Sequence, residues 1–425
     1  MTSNTEQLTI EADRHFFELR NRVRRRLDPD NSLDWLLQDN HNNAYQPDYL
    51  TMSSAGKSRF EQRLNRLVSI WLPELWFRVF WPKISGKLIA YTKEKYYAKI
   101  FREIGDASQI QEIKLLILSL LRRVLSENWS DLRQCTFTEL SNCLLEIIHL
   151  PFSQLPVEQD IFLSDKIRQN RECLNLLKEI SQALRSSDRR LETLIYLASR
   201  SNWIDSLEDD VENQLETFLK EIRGHWNGAG LDRYVSADPR FYQVKETMEI
   251  LQSTKGPVLY EFDNCGELVF DLCLIEALID LKRPVYLGVK ACPVVNDVME
   301  KDIRAILEDE QFLELKAALD KGLLRFVSPG CFKGGGKLVH EVSEQYRDAY
   351  AQSELLIIKG QGNFQSMPMA RSEGSKPVWF RYRKPIVYMT GVRADMIDMC
   401  LSTVYSEKNK PRRNHIFLHV YPNSS

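Results

Sequence analysis

The residues best suited to chemistry stand where short apolar segments end. Asp263 and Asn264 directly follow an apolar segment at 258–262, and Asp297 follows about one strand–helix–strand unit later. Carboxylate and amide oxygens are hard donors that suit Mg²⁺ or Mn²⁺. The carboxyl ends of neighbouring strands in an open α/β sheet share one crevice, where ligands bind. The residue types and their spacing therefore predict a divalent-metal site formed by these three side chains.

Helix capping is the alternative role for the same side chains, because Asp and Asn are preferred at the N-terminus of a helix. Asp263 and Asn264 could cap a helix that begins at Glu267. Asp297 could cap a helix that begins at Val298. Two independent caps do not require an asparagine beside the first aspartate, so the Asp-Asn pair favours the metal.

A third strand end carries the sequence KGQGN at 359–363, after a predicted strand at 354–359. The glycines can expose backbone N–H groups, and Lys359 and Asn363 can bind phosphate oxygens with Gly360 between them. The GxxxxGKS/T pattern of a Walker A loop is absent. Because glycine-rich turns are common between strands and helices, this segment predicts a phosphate site only in combination with the other two strand ends.

The elements that must position these residues change in character after Pro257. Apolar segments of strand length alternate with helices of roughly ten to fifteen residues, which predicts βαβ units and a mainly parallel sheet. The predicted strands cover 258–262, 284–290, 323–327, 354–359, 378–382, 386–389 and 415–421, and the predicted helices cover 267–281, 298–307 and 338–350. The predicted fold class is α/β, with a Rossmann-like, mainly parallel three-layer sheet domain over 256–425 preceded by an all-helical N-terminal domain over 1–255.

Composition and charge narrow the class of protein. A net charge of −2, with 27% charged and 43% hydrophobic residues, is ordinary for a soluble enzyme and argues against a nucleic-acid partner. No apolar segment approaches the roughly 18–20 residues needed to span a bilayer, and no signal pattern opens the chain, which predicts a cytoplasmic protein without a membrane partner. The eight cysteines form no CxxC pair and several lie in apolar segments, so they are predicted to be reduced core thiols.

Three motifs follow one another along the second half of the chain. They are DNCGELVFD at 263–271, PVVND at 293–297 and KGQGNF at 359–364. In this order they resemble the ARMT-like damage-control phosphatases, a metal-dependent family also known as domain of unknown function 89. Two further segments, ASRSNWID at 198–205 and WFRYRKPIV at 379–387, extend the resemblance over about 190–390.

The resemblance implies that Asp263, Asn264 and Asp297 hold a divalent metal, which in such proteins is Mn²⁺, Mg²⁺, Co²⁺ or Ni²⁺. It assigns Lys359 and Asn363 to the transferred phosphate, so that these two residues and Asp263 carry the catalytic roles. The other residues expected to contact the substrate are Asn202, Asp205, Glu267, Gly360 and Arg381.

Several positions depart from the pattern of the family. Cys265 stands where Ala is usual, and Ser201 replaces the Gly that precedes Asn202. Neither change removes a metal ligand, but the change beside Asn202 leaves the identity of the substrate open. Arg381 stands where the family has Lys, and it either faces the substrate or lies on an edge strand.

The implied function is hydrolysis of a small phosphomonoester, such as a sugar phosphate or a phosphopantetheine-like metabolite. One alternative is carboxyl methyltransfer from S-adenosylmethionine, an activity also linked to this family, although no GxGxG turn is present and Asp263 and Asn264 occupy its position. A second alternative is a non-catalytic helical adaptor with a metabolite-sensing domain. It is suggested by residues 1–190, which match no family segment, whereas 191–225 are expected to contribute to the site.

Overall fold

The structure, a computed structural model, describes most of the chain after residue 160 and a few positions before it. The described residues are 10, 14, 17–24, 36, 138–139, 142–143, 146, 160, 162–204, 211–226, 241–332, 336–367, 370–373, 376–379, 382–392 and 416–421. Asp205 and Arg381, both predicted to contact the substrate, lie outside this set. Among the described helices, none is long and apolar enough to cross a membrane.

Six strands form one sheet in the order β3-β2-β1-β4-β7-β8. The strands are β1 (Val258–Glu261), β2 (Val285–Gly288), β3 (Leu324–Val327), β4 (Leu355–Lys359), β7 (Ile386–Gly391) and β8 (Ile416–Tyr421), while β5 (Ala370–Glu373) and β6 (Lys376–Trp379) form a separate antiparallel pair. Within the sheet, only the pairing of β7 with β8 is antiparallel among the described strands. The predicted α/β fold with a mostly parallel sheet is confirmed at this level.

Helices precede the sheet and alternate with its strands. They are α1 (Leu163–Arg185), α2 (Arg190–Arg200), α3 (Val211–Trp226), α4 (Val244–Ser253), α5 (Leu268–Asp280), α6 (Glu300–Ile306), α7 (Leu313–Asp320), α8 (Glu344–Gln352) and α9 (Gln361–Gln365), with 3₁₀ turns at Ser201–Trp203 and Glu310–Phe312. The sequence pattern did not predict α7. The division into two domains at residue 255 stays a prediction.

Apolar side chains cover both faces of the sheet. Val258 and Tyr260 of β1 pack with α1, α2 and α5, whereas Leu259 packs on the opposite face with α8. This alternation follows from the pleat of a strand, which points successive side chains to opposite faces. The helix α5 is buried over nearly its whole surface, between the sheet and α2.

The strand order reverses between β1 and β4. From β1 the chain continues to β2 and β3 on one side, and it then crosses to β4 on the other side of β1. The carboxyl ends of the strands that flank such a switch point form a ligand-binding crevice in open α/β sheets. Because β1 ends at Glu261 and β4 ends at Lys359, the predicted metal and phosphate motifs lie at this same edge.

The prediction of a helix over 338–350 is wrong at its N-terminal end. Helix α8 begins at Glu344, because the side chain of Ser343 accepts a hydrogen bond of 3.1 Å from the N–H of Tyr346 and caps the first turn. The backbone N–H of Ser343 donates to Pro329 O, so residues 338–343 belong to the loop that follows β3.

The prediction that all cysteines are reduced thiols is also wrong. Cys292 and Cys331 form a disulfide across 39 positions of sequence. The pairing of β2 with β3 brings the loops that follow these strands together, and each loop carries one of the two cysteines. Cys331 is exposed, whereas Cys292 is buried. The other described cysteines are buried and form no disulfide with one another, namely Cys143, Cys173, Cys265 and Cys273.

Candidate active site

A short antiparallel pairing joins the segment after β1 to the segment after β2, with Asn264 directly opposite Asp297. Two backbone hydrogen bonds of 2.8 Å flank this pair, from Val298 N–H to Asp263 O and from Cys265 N–H to Asn296 O. In a pair flanked in this way the Cα atoms are ~4.5 Å apart and the side chains lie close together. The backbone itself therefore brings the predicted metal ligands to one place.

Gly266 allows the chain to turn tightly after this pairing. Its φ is +88°, a value that side chains disfavour, and a Cβ atom there would lie 2.9 Å from Ile204 Cγ2. The N–H of Gly266 donates a hydrogen bond of 2.6 Å to Asn170 Oδ1 on α1. The turn that carries Asp263 is thus fixed to a helix that precedes the sheet.

The carboxylate of Asp263 is held by two amide groups and by a glycine. Its Oδ2 accepts hydrogen bonds from the side-chain amides of Asn202 and Asn264, both at 2.9 Å. A Cβ atom at Gly360 would overlap this carboxylate, and the φ of Gly360 is +81°. The N–H of Gly360 donates to Met389 O at 3.0 Å. The lack of a side chain at Gly360 therefore allows β4 to lie close to Asp263. The N–H of Gly360 is hydrogen-bonded to β7.

Lys290 contacts residues from two of the three predicted strand ends. Its Nζ lies 3.4 Å from Asp297 Oδ2 and 3.2 Å from Asn363 Oδ1. The amide of Asn363 in turn donates to the carbonyl oxygens of Phe262 and Lys359, at 2.8 and 2.9 Å, so it spans β1 and β4. We call Asp263, Asn264, Lys290, Asp297 and Asn363 the strand-end cluster.

The ammonium of Lys359 lies in a different group, beneath the strand-end cluster. It contacts Glu267 Oε2 at 2.7 Å, Asp271 Oδ1 at 2.9 Å and the carbonyl oxygen of Ala198. The side chains of Lys359, Glu267 and Asp271 have no exposed surface, and the hydroxyl of Tyr260 donates to Asp271 at 2.8 Å. We call Asn202, Tyr260, Glu267, Asp271 and Lys359 the lower network.

The electrostatics of the lower network keep its lysine charged. Burial would lower the pKa of Lys359, but the carboxylates of Asp271 and Glu267 outweigh burial and raise this pKa above its ordinary value. Burial raises the pKa of Asp271 to about 7, since the opposing attraction of Lys359 is partly offset by the negative charge of Glu267. The group thus behaves as one ammonium shared between two enclosed carboxyl groups.

Asn202 connects the lower network to the strand-end cluster. Its Nδ2 donates to Asp263 Oδ2 and, at 2.9 and 3.0 Å, to the two carboxylate oxygens of Glu267. Its Oδ1 accepts from Thr390 Oγ1 at 3.0 Å and from Gly391 N–H at 2.9 Å. Both Asn202 and Glu267, predicted to contact the substrate, are buried in this arrangement, and the sequence reasoning missed Thr390.

A buried ion pair lies beside the strand-end cluster. Lys337 Nζ is 2.6 Å from Glu261 Oε2, and the hydroxyl of Tyr346 donates to the same carboxylate. Burial lowers the pKa of Lys337 against the attraction of Glu261, and the positive charge of nearby Lys290 lowers it further. The sequence reasoning missed Lys290, although the predicted strand 284–290 ends at this residue and thereby marks it as a strand-end cation.

The donor set indicates whether a divalent metal would fit. In the part of the chain that the structure describes, no group of three or more His, Cys, Asp or Glu side chains could hold a metal ion. A metal here therefore depends on the amide oxygen of Asn264, since the amide nitrogen already donates to Asp263 and Glu267. Together with the carboxylates of Asp263 and Asp297 it forms an all-oxygen set, which hard divalent cations prefer. The residues fit such an ion.

Comparison with known proteins adds a family. Residues 81–404 match the sequence profile of the Damage-control phosphatase ARMT1-like domain, so the match also includes 81–190, where the sequence reasoning recognised no family segment. A damage-control phosphatase from Pyrococcus horikoshii is 23% identical over 273 residues, which cover 63% of this chain and 81% of that protein. A damage-control phosphatase from Archaeoglobus fulgidus is 25% identical over 266 residues, or 61% of this chain and 78% of that protein. The crystal structure of a DUF89 family protein from Pyrococcus horikoshii has a similar fold, with a TM-score of 0.50, 19% identity and coverage of 87% and 98% of the two chains.

Proposed function

Because the chain belongs to the damage-control phosphatase ARMT1-like family, we propose that it is a metal-dependent phosphatase that hydrolyses a small phosphomonoester. The relatives that are named damage-control phosphatases support the reaction class. The observation that carries the proposal for this chain is the backbone pairing of Asn264 with Asp297, which sets two hard oxygen donors beside Asp263 at the switch point of the sheet.

Asp263, Asn264 and Asp297 would hold the ion, which we propose to be Mn²⁺, Mg²⁺, Co²⁺ or Ni²⁺. When bound, such an ion supplies Lewis-acid polarisation of a phosphoryl oxygen and neutralises charge as the ester bond breaks. Asn202 orients the carboxylate of Asp263 through the hydrogen bond to Oδ2. Such outer partners fix the direction of a ligand and raise metal affinity.

The remaining residues of the site position and enclose the phosphoryl group. Asn363 lies in α9, just after β4, and its two backbone carbonyl partners fix its orientation. Gly360 allows the Asp263 carboxylate to pack directly against the backbone after β4, because a Cβ atom at this position would overlap it. The predicted contact of Lys359 with phosphate stays a prediction, because the ammonium is enclosed by the lower network.

A sugar phosphate or a phosphopantetheine-like metabolite is the proposed substrate class. The departures from the family pattern at Cys265 and Ser201 concern side chains that are fully buried, so neither faces the crevice. The hydroxyl of Ser201 donates to Ala198 O inside α2. We also propose that the sheet region is Rossmann-like and that the helices before residue 256 form a separate helical domain.

A panel of phosphate esters, assayed with Mn²⁺, Co²⁺, Mg²⁺ or a chelator, tests this function. We expect hydrolysis of at least one small ester with added metal, and a loss of about a thousandfold in kcat/KM for Asp297→Asn. Asp320→Asn, an exposed change on α7, is the matched control and should retain full activity.

Two outcomes would contradict the proposal. A metal-loaded protein that is inactive on the whole panel would favour the non-catalytic adaptor. Tight binding of S-adenosylmethionine by calorimetry in the absence of metal would favour the methyltransferase instead.

A further inference from the structure

Lys359 has no donor left for a substrate. An ammonium group carries three N–H donors. In Lys359 they meet three acceptors, which are Glu267 Oε2, Asp271 Oδ1 and the carbonyl oxygen of Ala198. The side chain has no exposed surface. A phosphoryl oxygen could reach this ammonium only by displacing one of these three buried acceptors, and a displaced carboxylate would lose its counter-charge, which is costly in a protein interior.

Lys290 is placed differently. Its ammonium lies between Asp297 and Asn363, which are the predicted metal ligand of one strand end and the predicted phosphate ligand of another. Its backbone N–H donates to Val298 O at 3.0 Å within a second short pairing, a parallel one between Lys290 and Met299, so Lys290 is fixed beside the segment that carries Asp297. Only 5% of the Lys290 side chain is exposed, so its aliphatic part is packed in the protein. This packing fixes the position of the ammonium at the crevice.

We propose that Lys290 is a catalytic residue that binds the phosphoryl group of the substrate, an inference that rests on the phosphatase function proposed above. The other described lysines nearby already have buried carboxylate partners, since Lys337 pairs with Glu261 and Lys359 pairs with Glu267. Lys290 instead touches a carboxylate that the proposed metal would also bind.

The charge of the strand-end cluster supports this role. Two carboxylates and one ammonium give the cluster a net charge of −1, and a divalent cation changes it to +1. A positive cluster suits a phosphate dianion, and a charge-assisted contact to it would grow in strength as the ester bond breaks. A cation on Asp297 also repels the ammonium of Lys290 and weakens the contact between this ammonium and the Asp297 carboxylate. The ammonium can then bind the phosphoryl oxygens.

This arrangement predicts opposite effects on two ligands when Lys290 is neutralised. The affinity for phosphate should fall, because a charge-assisted hydrogen bond is lost. The affinity for Mn²⁺ should stay the same or rise, because a competing positive charge leaves Asp297. A lysine that only stabilises the local fold would lower both affinities together.

Isothermal titration calorimetry of the full chain separates these cases, with inorganic phosphate and Mn²⁺ as the probes. In the presence of Mn²⁺ we expect Lys290→Gln to bind inorganic phosphate roughly ten- to a hundredfold more weakly than the wild type. Its Mn²⁺ affinity should be at least that of the wild type. Lys290→Arg should recover most of the phosphate affinity. Lys316→Gln, which removes an exposed ammonium on α7, should leave both affinities unchanged.

Three results would overturn the assignment of Lys290. They are phosphate affinity within twofold of wild type in Lys290→Gln, a parallel loss of phosphate and Mn²⁺ affinity, and a wild type that binds no phosphate at all. If the glutamine variant does not fold, Lys290→Met replaces it in the same titrations, because methionine keeps the apolar part of the lysine side chain. Phosphate binding that depends on Lys290 in a protein that hydrolyses no ester would contradict the proposed function and leave this inference intact.

Discussion

The lower network and the strand-end cluster are joined through Asn202, but they differ in how their charges are satisfied. In the lower network every ammonium donor of Lys359 has a partner, and the carboxylates beside it have no exposed surface. In the strand-end cluster Lys290 and Asp297 touch at 3.4 Å and retain some exposure. A closed, saturated group stabilises a fold, whereas an open group with unbalanced charge is suited to a ligand. The difference supports a structural role for the lower network and agrees with the ligand-binding role proposed for the strand-end cluster.

Replacing Lys359 should break the lower network, and it should have a larger effect on stability than any of the substitutions that follow. Lys359→Met leaves Glu267 and Asp271 buried without a counter-charge, and we expect a loss of roughly 3–5 kcal/mol in the free energy of unfolding. Urea titration followed by circular dichroism measures it. Adding Asp271→Asn to the same chain should recover part of the loss. A stable Lys359→Met protein that had lost inorganic phosphate binding would instead return the phosphate role to Lys359.

The disulfide should matter for the strand-end cluster more than for the lower network, because Cys292 precedes Asp297 in the same loop. The double variant Cys292→Ser, Cys331→Ser should lose roughly 2–4 kcal/mol of unfolding free energy, as expected for closure of a loop of this length. Its Mn²⁺ affinity should also fall.

Dithiothreitol provides the control for the disulfide. It should lower the urea midpoint of the wild type and leave that of the double variant unchanged. An equal response of both proteins to the reductant would mean that the link between Cys292 and Cys331 does not stabilise the loop.

Asn202 is the connection between the two groups, so its removal should affect metal binding more than folding. Asn202→Ala should weaken Mn²⁺ binding by about ten- to a hundredfold, because Asp263 loses an orienting hydrogen bond. Calorimetric titration with Mn²⁺ measures this effect. Ser199→Ala is the matched control, since Ser199 is equally buried but donates only to Ile195 O in the same helix. Equal Mn²⁺ affinities in the two variants would remove Asn202 from the site.

A histidine remote from both groups should account for part of the acid sensitivity of the fold. Burial lowers the pKa of His419 on β8 to about 4, where its ring stacks on Phe417. The unfolded chain, with a pKa of about 6.5 at this residue, therefore binds a proton before the folded chain does. The stabilisation is complete above pH 6.5 and is lost as the pH falls through about 4, by roughly 3 kcal/mol in total.

Urea titrations of the wild type and His419→Gln between pH 4 and pH 7 measure this contribution. We expect a smaller loss of stability with falling pH in the variant, and the same Mn²⁺ affinity as in the wild type at pH 7. Identical pH profiles of stability would show that burial of His419 has no such effect.

The sequence was sufficient to place the proposed metal ligands at strand ends and insufficient to orient the lysines. Strand-end positions of Asp263, Asn264 and Asp297 follow from the alternation of strands and helices, and the structure brings these residues together. The direction of Lys359 depends on the register of β4, because it shares a face with Ile357, which packs in the core formed by α1, α2 and α5. Which helix covers that face depends on tertiary packing, and the periodicity of apolar residues in the sequence does not encode this packing.

Two other features differ in how far local sequence could reveal them. The start of α8 follows from a local rule, because Ser343 is a good N-cap and could have been recognised as one. The disulfide could not be predicted in the same way. Its cysteines meet only because β2 and β3 are neighbours in the sheet.

The central claim is that Asp263, Asn264 and Asp297 share one divalent cation. Calorimetric titration of the metal-free chain with Mn²⁺ tests it most directly, in the wild type and in Asp263→Asn, Asn264→Ala and Asp297→Asn. We predict one Mn²⁺ per wild-type chain and an affinity at least about a hundredfold weaker in both aspartate variants, with a smaller loss in Asn264→Ala. Wild-type affinity in Asp297→Asn would contradict the account.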